Sequence, residues 1–445
     1  MRSKLGAGPQ GSNPTKDQTP KIPPASFHDA WFIAQGQALQ DLVDEVIAMV
    51  EGANECPKRS DAAARRRMVL ANITANLASL VLSANYKPGR RLAISTAKDK
   101  PTRYDRKDWP QGIVSKTLDE MVKAGLIIRH RYVPRQKQTT IEPTPSFLEA
   151  LSRHRVRLAD IGRKTGAETI WVMARTGEDG WADNPNPKER TDYEESRDTP
   201  TSRKQMEEIN AFLNAADVTY RGESQGPIFL RRSFLARHPS QPGQPRQSRG
   251  KSFMLNGRLF GGFWQNLPST DRHALQIGGE ELVDLDFTAM FIQLAYLRKV
   301  LELPVKDDAY RIPGLEDHRD GAKLGLISLL SRRGPMKQLS VELRELLPEG
   351  WTAKQFTQAA IAHHPGITDH FGKDIGVELM FAESSLLVHL LQRLNGLGIA
   401  ALPMHDGVMV PASRKIETLA MMAEASSFMT GGIALSAREK PIVRP

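Results

Sequence analysis

The spacing of apolar residues changes along the chain, and each change predicts a different element. Between residues 27 and 50, and again between residues 69 and 80, apolar side chains recur every three or four positions. This spacing predicts two amphipathic helices. Residues 1–25 hold hardly any apolar side chains, so they cannot offset their ordering entropy, and we expect them to be a mobile, disordered tail.

A more specific pattern lies between residues 113 and 142. A stretch with helical period, residues 113–122, ends at Gly125, and glycine is the residue expected just past a helix end. Two short strands are predicted next, over residues 126–133 and 139–142, with a basic segment between them. Helix, strand, basic loop and strand in this order resemble a winged helix, whose recognition helix enters the major groove of DNA.

The candidate DNA contacts of this module are basic residues. Lys116 and Lys123 lie on the helix face opposite the apolar one, and Arg135 lies in the segment between the two strands. Winged helices also dock proteins, so the alternative is that these residues form a solvated face. We predict a helical and winged-helix-like DNA-binding domain over residues 26–151.

The following hundred residues carry fewer signals. A strand is predicted over residues 169–173 and a helix over 206–213, and residues 238–250 read as a loop rich in glycine, proline and glutamine. We interpret residues 152–250 as a connecting, thumb-like region.

Composition narrows the partners and the compartment. The formal net charge of +10 and the isoelectric point near 9.6 indicate an anionic partner, although an ordinary basic protein is the alternative. The single cysteine, Cys56, permits no internal disulfide and no cysteine-based zinc site. No apolar stretch approaches the roughly 20 residues that span a bilayer, and the chain starts without an apolar signal core. These features predict a cytoplasmic protein with no membrane partner.

Two acidic motifs carry the candidate chemistry. An apolar run from Leu282 to Leu285 ends on Asp286, and helical period begins at the next residue. Some 120 positions later, two apolar runs flank His405-Asp406-Gly407, which predicts a tight hairpin with an acid at its tip. Two carboxylates on adjacent strand ends can share divalent cations. The alternative is that each aspartate is an ordinary turn former or helix cap.

Three motifs follow one another along the chain, and the third contains the first acid, Asp286. They are Asn256-Gly257-Arg258-Leu259, then Gln265-Asn266-Leu267-Pro268, then Asp286-Phe287-Thr288. With this order the chain resembles the family A nucleic-acid polymerases, the group of bacterial DNA polymerase I and the single-subunit phage RNA polymerases. The resemblance covers roughly residues 250 to 412. It implies that the primer-template is positioned by Arg258, Gln265 and Asn266.

The family's next motif is a helix whose cations face the incoming triphosphate. Arg319 and Lys323 supply that spacing, and residues i and i+4 share a helix face, so both cations can meet one phosphate group. Solvated cations on a surface helix are the alternative. Ile327 falls where the family has an apolar or aromatic nucleotide contact. Ser331, however, stands where the family has tyrosine, which puts the usual stacking and sugar-checking role in doubt.

The last family motif is the His405-Asp406 dipeptide of the predicted hairpin. The resemblance implies that His405 contacts nucleic acid, and a turn histidine with local hydrogen bonds is the alternative. Upstream, residues 380–394 resemble the helix that packs beneath the polymerase palm and touches the template-primer. Its candidate contacts are Glu383 and Ser384.

The resemblance implies two-metal catalysis. Asp286 and Asp406 are the expected ligands of two Mg²⁺ ions, with Mn²⁺ as the other choice, because carboxylates and substrate phosphates are the usual magnesium shell. Arg319 and Lys323 are expected to neutralise the triphosphate, and Lys323 to protonate the leaving pyrophosphate. Asp284, two residues before Asp286, is an outer ligand or the charge partner of a phosphate-binding arginine.

Sugar selection depends on the position five residues after the first catalytic acid. The family's DNA enzymes have a glutamate there, and this chain has Phe291. A bulky apolar side chain would exclude a ribose 2′-hydroxyl, which favours deoxynucleotides. Phe291 also fits the helical apolar period, so a core position remains the equal alternative.

Together these patterns predict an α+β protein, with an antiparallel palm sheet, covering helices and reduced fingers over residues 251–445. The predicted function is a template-dependent nucleotidyltransferase, a DNA polymerase or primase-polymerase of a mobile element. Its expected partners are DNA as template-primer and duplex, nucleoside triphosphates and other replication proteins. The alternatives are a replication initiator or DNA-binding regulator with an inactive palm and, third, a metal-dependent nuclease.

Overall fold

The computed structural model describes residues 26–55, 59–84, 86–97, 100–130, 139–175, 188–236, 253–301 and 308–444. Over these residues the protein is α+β, as predicted. The predicted mobile segment 1–25, the loop 238–250 and Arg135 lie outside them. Within the same ranges, no helix is both long enough and apolar enough to cross a membrane.

The helices of the described residues are α1 (Gln37–Ala53), α2 (Ser60–Leu82), α3 (Gln111–Lys123), α4 (Pro145–Arg153), α5 (Thr199–Ala215), α6 (Met290–Leu297), α7 (Arg319–Ser331), α8 (Val341–Leu346), α9 (Ala353–His363), α10 (Gly376–Gly396) and α11 (Lys415–Thr430).

The strands of the described residues are β1 (Ser26–Phe27), β2 (Phe32–Ala34), β3 (Leu92–Ala93), β4 (Ile127–His130), β5 (Thr140–Pro143), β6 (Ile161–Arg163), β7 (Ile170–Arg175), β8 (Lys188–Arg190), β9 (Val218–Tyr220), β10 (Glu223–Ser224), β11 (Arg231–Ala236), β12 (Asn256–Phe260), β13 (Leu275–Ile277), β14 (Glu280–Phe287), β15 (Leu402–Pro403), β16 (Gly407–Pro411) and β17 (Ala437–Lys440).

The described residues form two compact units, and the segments of the two units alternate along the sequence. Among the described residues, the first unit comprises those up to Asp29 together with those of Asp41–Lys98 and Pro110–Val156. The second comprises Ala30–Gln40, Asp99–Trp109 and the chain from Arg157 onward.

The first unit packs its helices against a four-stranded sheet in the order β1-β3-β5-β4. The helix predicted over residues 113–122 is confirmed as α3. It ends as predicted at Gly125, whose φ of 73° closes the end with hydrogen bonds from Gly125 N to Val122 O and from Leu126 N to Met121 O. α3 packs against α2, and a buried ion pair joins Arg66 Nε to Glu120 Oε2 at 2.8 Å.

The helix predicted over residues 27–50 is wrong over residues 27–36. Helix α1 begins only at Gln37, and β1 and β2 precede it. The backbone of β1 pairs with β3, and that of β2 pairs with β6. Both partners are distant in sequence, so this long-range pairing overrides the local helical spacing.

The second unit is organised on an antiparallel sheet in the order β10-β9-β13-β14-β16-β15, and β17 also pairs with β14. Leu282, Leu285 and Phe287 of β14 are buried in the core. Helix α10 contacts α5, α6, α7, α11 and β12, so it is central to this core. Its leucine-rich sequence fits that position, because a helix covered on several sides needs more than one apolar face.

A smaller sheet in the order β12-β11-β7-β8 adjoins α10 through β12. The predicted strand over residues 169–173 is confirmed as β7, and the predicted helix over 206–213 is confirmed as α5. This sheet carries Arg258 towards the carboxylates described next.

Candidate active site

The two predicted metal ligands meet where β14 and β16 pair. Asp286 lies opposite Gly407 in the register, and Phe287 N donates a hydrogen bond to Asp406 O at 3.0 Å. Met404 N donates to Gly407 O at 2.9 Å, which leaves His405 and Asp406 at the tip of the hairpin. The structure therefore brings the two acids together from positions far apart in the sequence.

Gly407 permits this close approach. A Cβ atom at this position would lie 2.4 Å from Asp286 Oδ1 and 2.2 Å from Leu285 O. Both distances are too short for real contacts, and one of the atoms belongs to the backbone. Any side chain at Gly407 would therefore push β16 away from β14.

A third carboxylate, Asp284, is buried on the same strand. Its Oδ1 has no hydrogen-bond partner among the described residues. Burial, followed by the charge of Asp286, raises the pKa of Asp284 to about 7. Burial, followed by the charge of Asp406, also raises the pKa of Asp286, while Lys440 and Lys323 lower it. The site thus brings carboxyl groups together in a partly buried place where each disfavours the ionisation of its neighbours.

These carboxylates fit hard cations in part. Within the described residues, no three His, Cys, Asp or Glu side chains are arranged to hold a metal ion by themselves. The carboxylates of Asp286 and Asp406 and the unpartnered Asp284 Oδ1 are oxygen donors of the kind Mg²⁺ takes, and magnesium commonly completes its shell with water and substrate phosphates.

Arg258 lies in a buried ion pair with α10. Its Nη2 is 2.6 Å from Glu383 Oε2, and the Glu383 side chain is almost fully buried. Burial raises the pKa of Glu383 to about 7 against the lowering effect of Arg258, and the charge of Asp406 raises it further. The Arg258 guanidinium also lies 5.7 Å from the ring centre of Phe291, which is itself buried.

The other predicted primer-template contacts differ in exposure. Gln265 Oε1 accepts hydrogen bonds from Gly261 N and Gly262 N, and its Nε2 donates to Leu259 O at 3.1 Å. This side chain therefore stabilises the turn in which it lies. Asn266 is exposed. Ser384 is buried and donates to Asn256 O at 3.0 Å. His405 is exposed, and its ring centre lies 5.6 Å from that of Phe260 in an edge-to-face arrangement.

The predicted phosphate cations lie on the first turns of α7 around a buried tyrosine. Arg319 Nε is 2.5 Å from Asp308 Oδ2, and its guanidinium is 5.2 Å from the ring centre of Tyr310. Lys323 Nζ is exposed and lies 6.0 Å from the same ring centre. Ile327, one turn further along α7, is half-buried.

Sequence reasoning missed several residues of this site. Asp308 and Tyr310 precede α7 in a segment without periodic spacing, and no sequence signal identified them. Burial raises the pKa of Tyr310, and the charges of Asp406 and Glu383 add to this, so Tyr310 lies within electrostatic reach of both acids. Strand β17, which carries Lys440, was not predicted either.

No protein-family model matches this chain, and no curated protein matches it. The functional conclusion therefore depends on the geometry described above.

The predicted DNA contacts of the first unit are exposed on α3. Lys116 Nζ is 3.9 Å from Glu120 Oε1, a long and weak ion pair, and Lys123 is exposed in the last turn. Arg129 on β4 donates to Asp119 Oδ1 at 2.7 Å and to Ser115 O at 3.0 Å, so it ties the strand to the helix. The two lysines thus have charges available for an anionic partner.

Proposed function

We propose that the protein is a template-dependent nucleotidyltransferase, a DNA polymerase or primase-polymerase that uses two-metal catalysis. The observation that carries the proposal is the pairing of β14 with β16, which brings Asp286 and Asp406 together. Lys323 lies close enough to lower the pKa of Asp286. Two acids that can bind metal cations therefore lie beside a lysine that can bind phosphate, and phosphoryl transfer requires this combination.

In this proposal Asp286 and Asp406 would hold Mg²⁺ or Mn²⁺, which when bound would supply charge stabilisation for the attacking and leaving oxygens. The 3′-hydroxyl oxygen of the primer forms a bond to the α-phosphorus, its proton goes to solvent, and the bond to the bridging oxygen breaks to release pyrophosphate. Lys323 gives a proton to that leaving group, and Arg319 neutralises charge on the β and γ phosphates.

The surrounding residues position these groups. Asp308 holds the guanidinium of Arg319 on the Tyr310 ring, which limits its rotamers before the triphosphate arrives. Glu383 fixes Arg258 over Phe291, beside the acids. In the proposed reaction Arg258 contacts the primer-template. Phe291 is buried in the core, as the alternative given for this position expects, so we assign it no role in sugar selection.

The first unit recruits duplex DNA in this proposal. Lys116 and Lys123 on the exposed face of α3 would contact phosphates, and the net charge of +10 favours such a partner at low salt.

Primer extension tests the proposal directly. Asp286→Asn and Asp406→Asn should each lower Mg²⁺-dependent nucleotide incorporation by about 10³-fold, because each removes a charge that holds the metal ions. The exposed Asp369, which pairs with Lys299 at the surface, gives the matched control, and Asp369→Asn should extend primers normally. Extension that survives both active-site changes would refute the proposal. Degradation of labelled duplex with Mg²⁺ and no nucleotides would indicate a nuclease instead.

A further inference from the structure

Strand β17 places two cations beside the catalytic strand. In the register Lys440 lies opposite Asp284 and Arg438 lies opposite Asp286. Residues directly opposite in an antiparallel pair have their side chains on the same face, and alternate residues of a strand share a face. Asp284, Asp286, Arg438 and Lys440 therefore share one face of the sheet.

Lys440 reaches the carboxylate of a proposed metal ligand. Its Nζ lies 3.5 Å from Asp286 Oδ2, and its side chain is 58% exposed, whereas that of Asp286 is 17% exposed. The ammonium thus approaches the carboxylate from the solvent side, on a flexible four-carbon stem. It can leave without moving the backbone of β17.

Arg438 and Lys440 act electrostatically on different carboxyl groups. Its charge lowers the pKa of Asp308, the carboxylate that holds Arg319. The two cations of β17 therefore act on different acids, and only Lys440 forms an ion pair with a proposed metal ligand among the described residues.

We propose that Lys440 is an exchangeable counter-ion and a phosphate contact. In the metal-free protein it neutralises part of the charge of Asp286, and a divalent cation displaces it by taking the same carboxylate. The released ammonium then binds a phosphodiester of the nucleic acid at the site. This inference rests on the proposed function for its second half, because the phosphate belongs to the primer-template.

Metal binding to the protein alone tests the first half. Calorimetric titration with Mn²⁺ should show about two- to fivefold tighter binding to Lys440→Gln than to the unchanged protein, the effect expected of one half-exposed charge pair. Lys440→Arg keeps the charge and should bind Mn²⁺ as the unchanged protein does. Arg444→Gln removes an exposed cation that pairs with Glu281 instead, and it should have no effect.

Binding of a primer-template in Ca²⁺ tests the second half. Lys440→Gln should bind the nucleic acid several-fold more weakly, and the slope of log affinity against log salt should fall by about one. An unchanged affinity and slope would overturn the phosphate contact. Mn²⁺ affinity that is equal or weaker in a folded Lys440→Gln protein would overturn the counter-ion.

The two proposals fail in different ways. Because the Mn²⁺ titration uses no nucleic acid, tighter binding by Lys440→Gln supports the counter-ion even if the unchanged protein extends no primer. That combination would overturn the polymerase function alone. Normal primer extension together with equal Mn²⁺ affinity would overturn the counter-ion alone.

Discussion

Glu383 and Asp284 are both buried carboxylates of the same unit, but their surroundings differ. Glu383 meets the guanidinium of Arg258 at 2.6 Å. Asp284 has an oxygen without a hydrogen-bond partner among the described residues, and the acid Asp286 lies two positions along its strand. Burial raises the pKa of each carboxyl group to about 7.

The difference separates a stabilising contact from a site that needs a ligand. Arg258 offsets part of the desolvation cost of Glu383, whereas the unpartnered oxygen of Asp284 costs free energy in the folded state. Such costs are retained mainly where function requires them. We therefore expect changes at the Glu383 pair to lower stability, in addition to any loss of the proposed primer-template contact of Arg258, and changes at Asp286 and Asp406 to lower activity without a comparable loss of stability.

The largest effect is expected from breaking the Arg258 pair. Arg258→Met should lower the free energy of unfolding by about 3 kcal/mol at pH 8, because it leaves Glu383 buried without a partner. The loss should shrink at pH 5. The folded-state pKa of Glu383 is raised to about 7, so its ionisation costs stability as the pH rises towards that value. Below pH 5 the carboxyl group is largely protonated in the folded protein, and it then has no charge for Arg258 to compensate. Denaturant unfolding at both pH values measures this difference.

The matched control for that change lies on α10, the helix that carries Glu383. Arg393 pairs with Glu424 at an exposed position, so Arg393→Met should change the free energy of unfolding by less than about 1 kcal/mol. If Arg258→Met destabilised the protein no more than this control, the buried pair would have no stabilising role.

The second largest effect is expected from a side chain at Gly407, which would disturb the neighbouring aspartates. Gly407→Ala should lower the free energy of unfolding by about 2 kcal/mol, because the new Cβ overlaps Leu285 O and Asp286 Oδ1. Primer extension should fall with it. Gly396→Ala at the end of α10 meets no atom within 4 Å and should be neutral or slightly stabilising. Equal stability of the two variants would show that β16 adjusts without cost.

The smallest effect is expected from neutralising Asp284. In the presence of a chelator, Asp284→Asn should raise the free energy of unfolding by about 1 to 2 kcal/mol at pH 8. The folded-state pKa near 7 lies above the unfolded value, so ionisation costs stability as the pH rises from about 4 to 7. The gain should therefore be small at pH 4.5. A gain that is the same at both pH values would contradict this electrostatic origin.

The sequence predicted the elements with clear local spacing. Helix α3 and strand β14 follow from apolar periodicity. Helix α10 and the juxtaposition of Asp286 with Asp406 are expectations of the family resemblance, and the juxtaposition depends on the pairing of β14 with β16, which neither apolar run specifies by itself. The α+β class is confirmed, while the polymerase function stays a prediction.

The remaining parts depend on pairing between distant segments. Strand β17 reads Ala-Arg-Glu-Lys and has no alternating apolar pattern, because its strand conformation comes from hydrogen bonds to β14. Strands β1 and β2 likewise form only with their distant partners. Lys440 therefore could not be placed beside Asp286 from local spacing.

The order of β14 and β17 along the chain also affects how the protein is made. The ribosome synthesises β17 about 150 residues after β14, an interval of roughly 10 to 30 s at usual translation rates. During that time the backbone groups of Asp284 to Phe287 that later pair with β17 have no partner on that edge, and an unpaired edge invites other strands. The acidic side chains of Asp284 and Asp286 oppose such pairing between nascent chains, because like charges repel a second copy of the same strand.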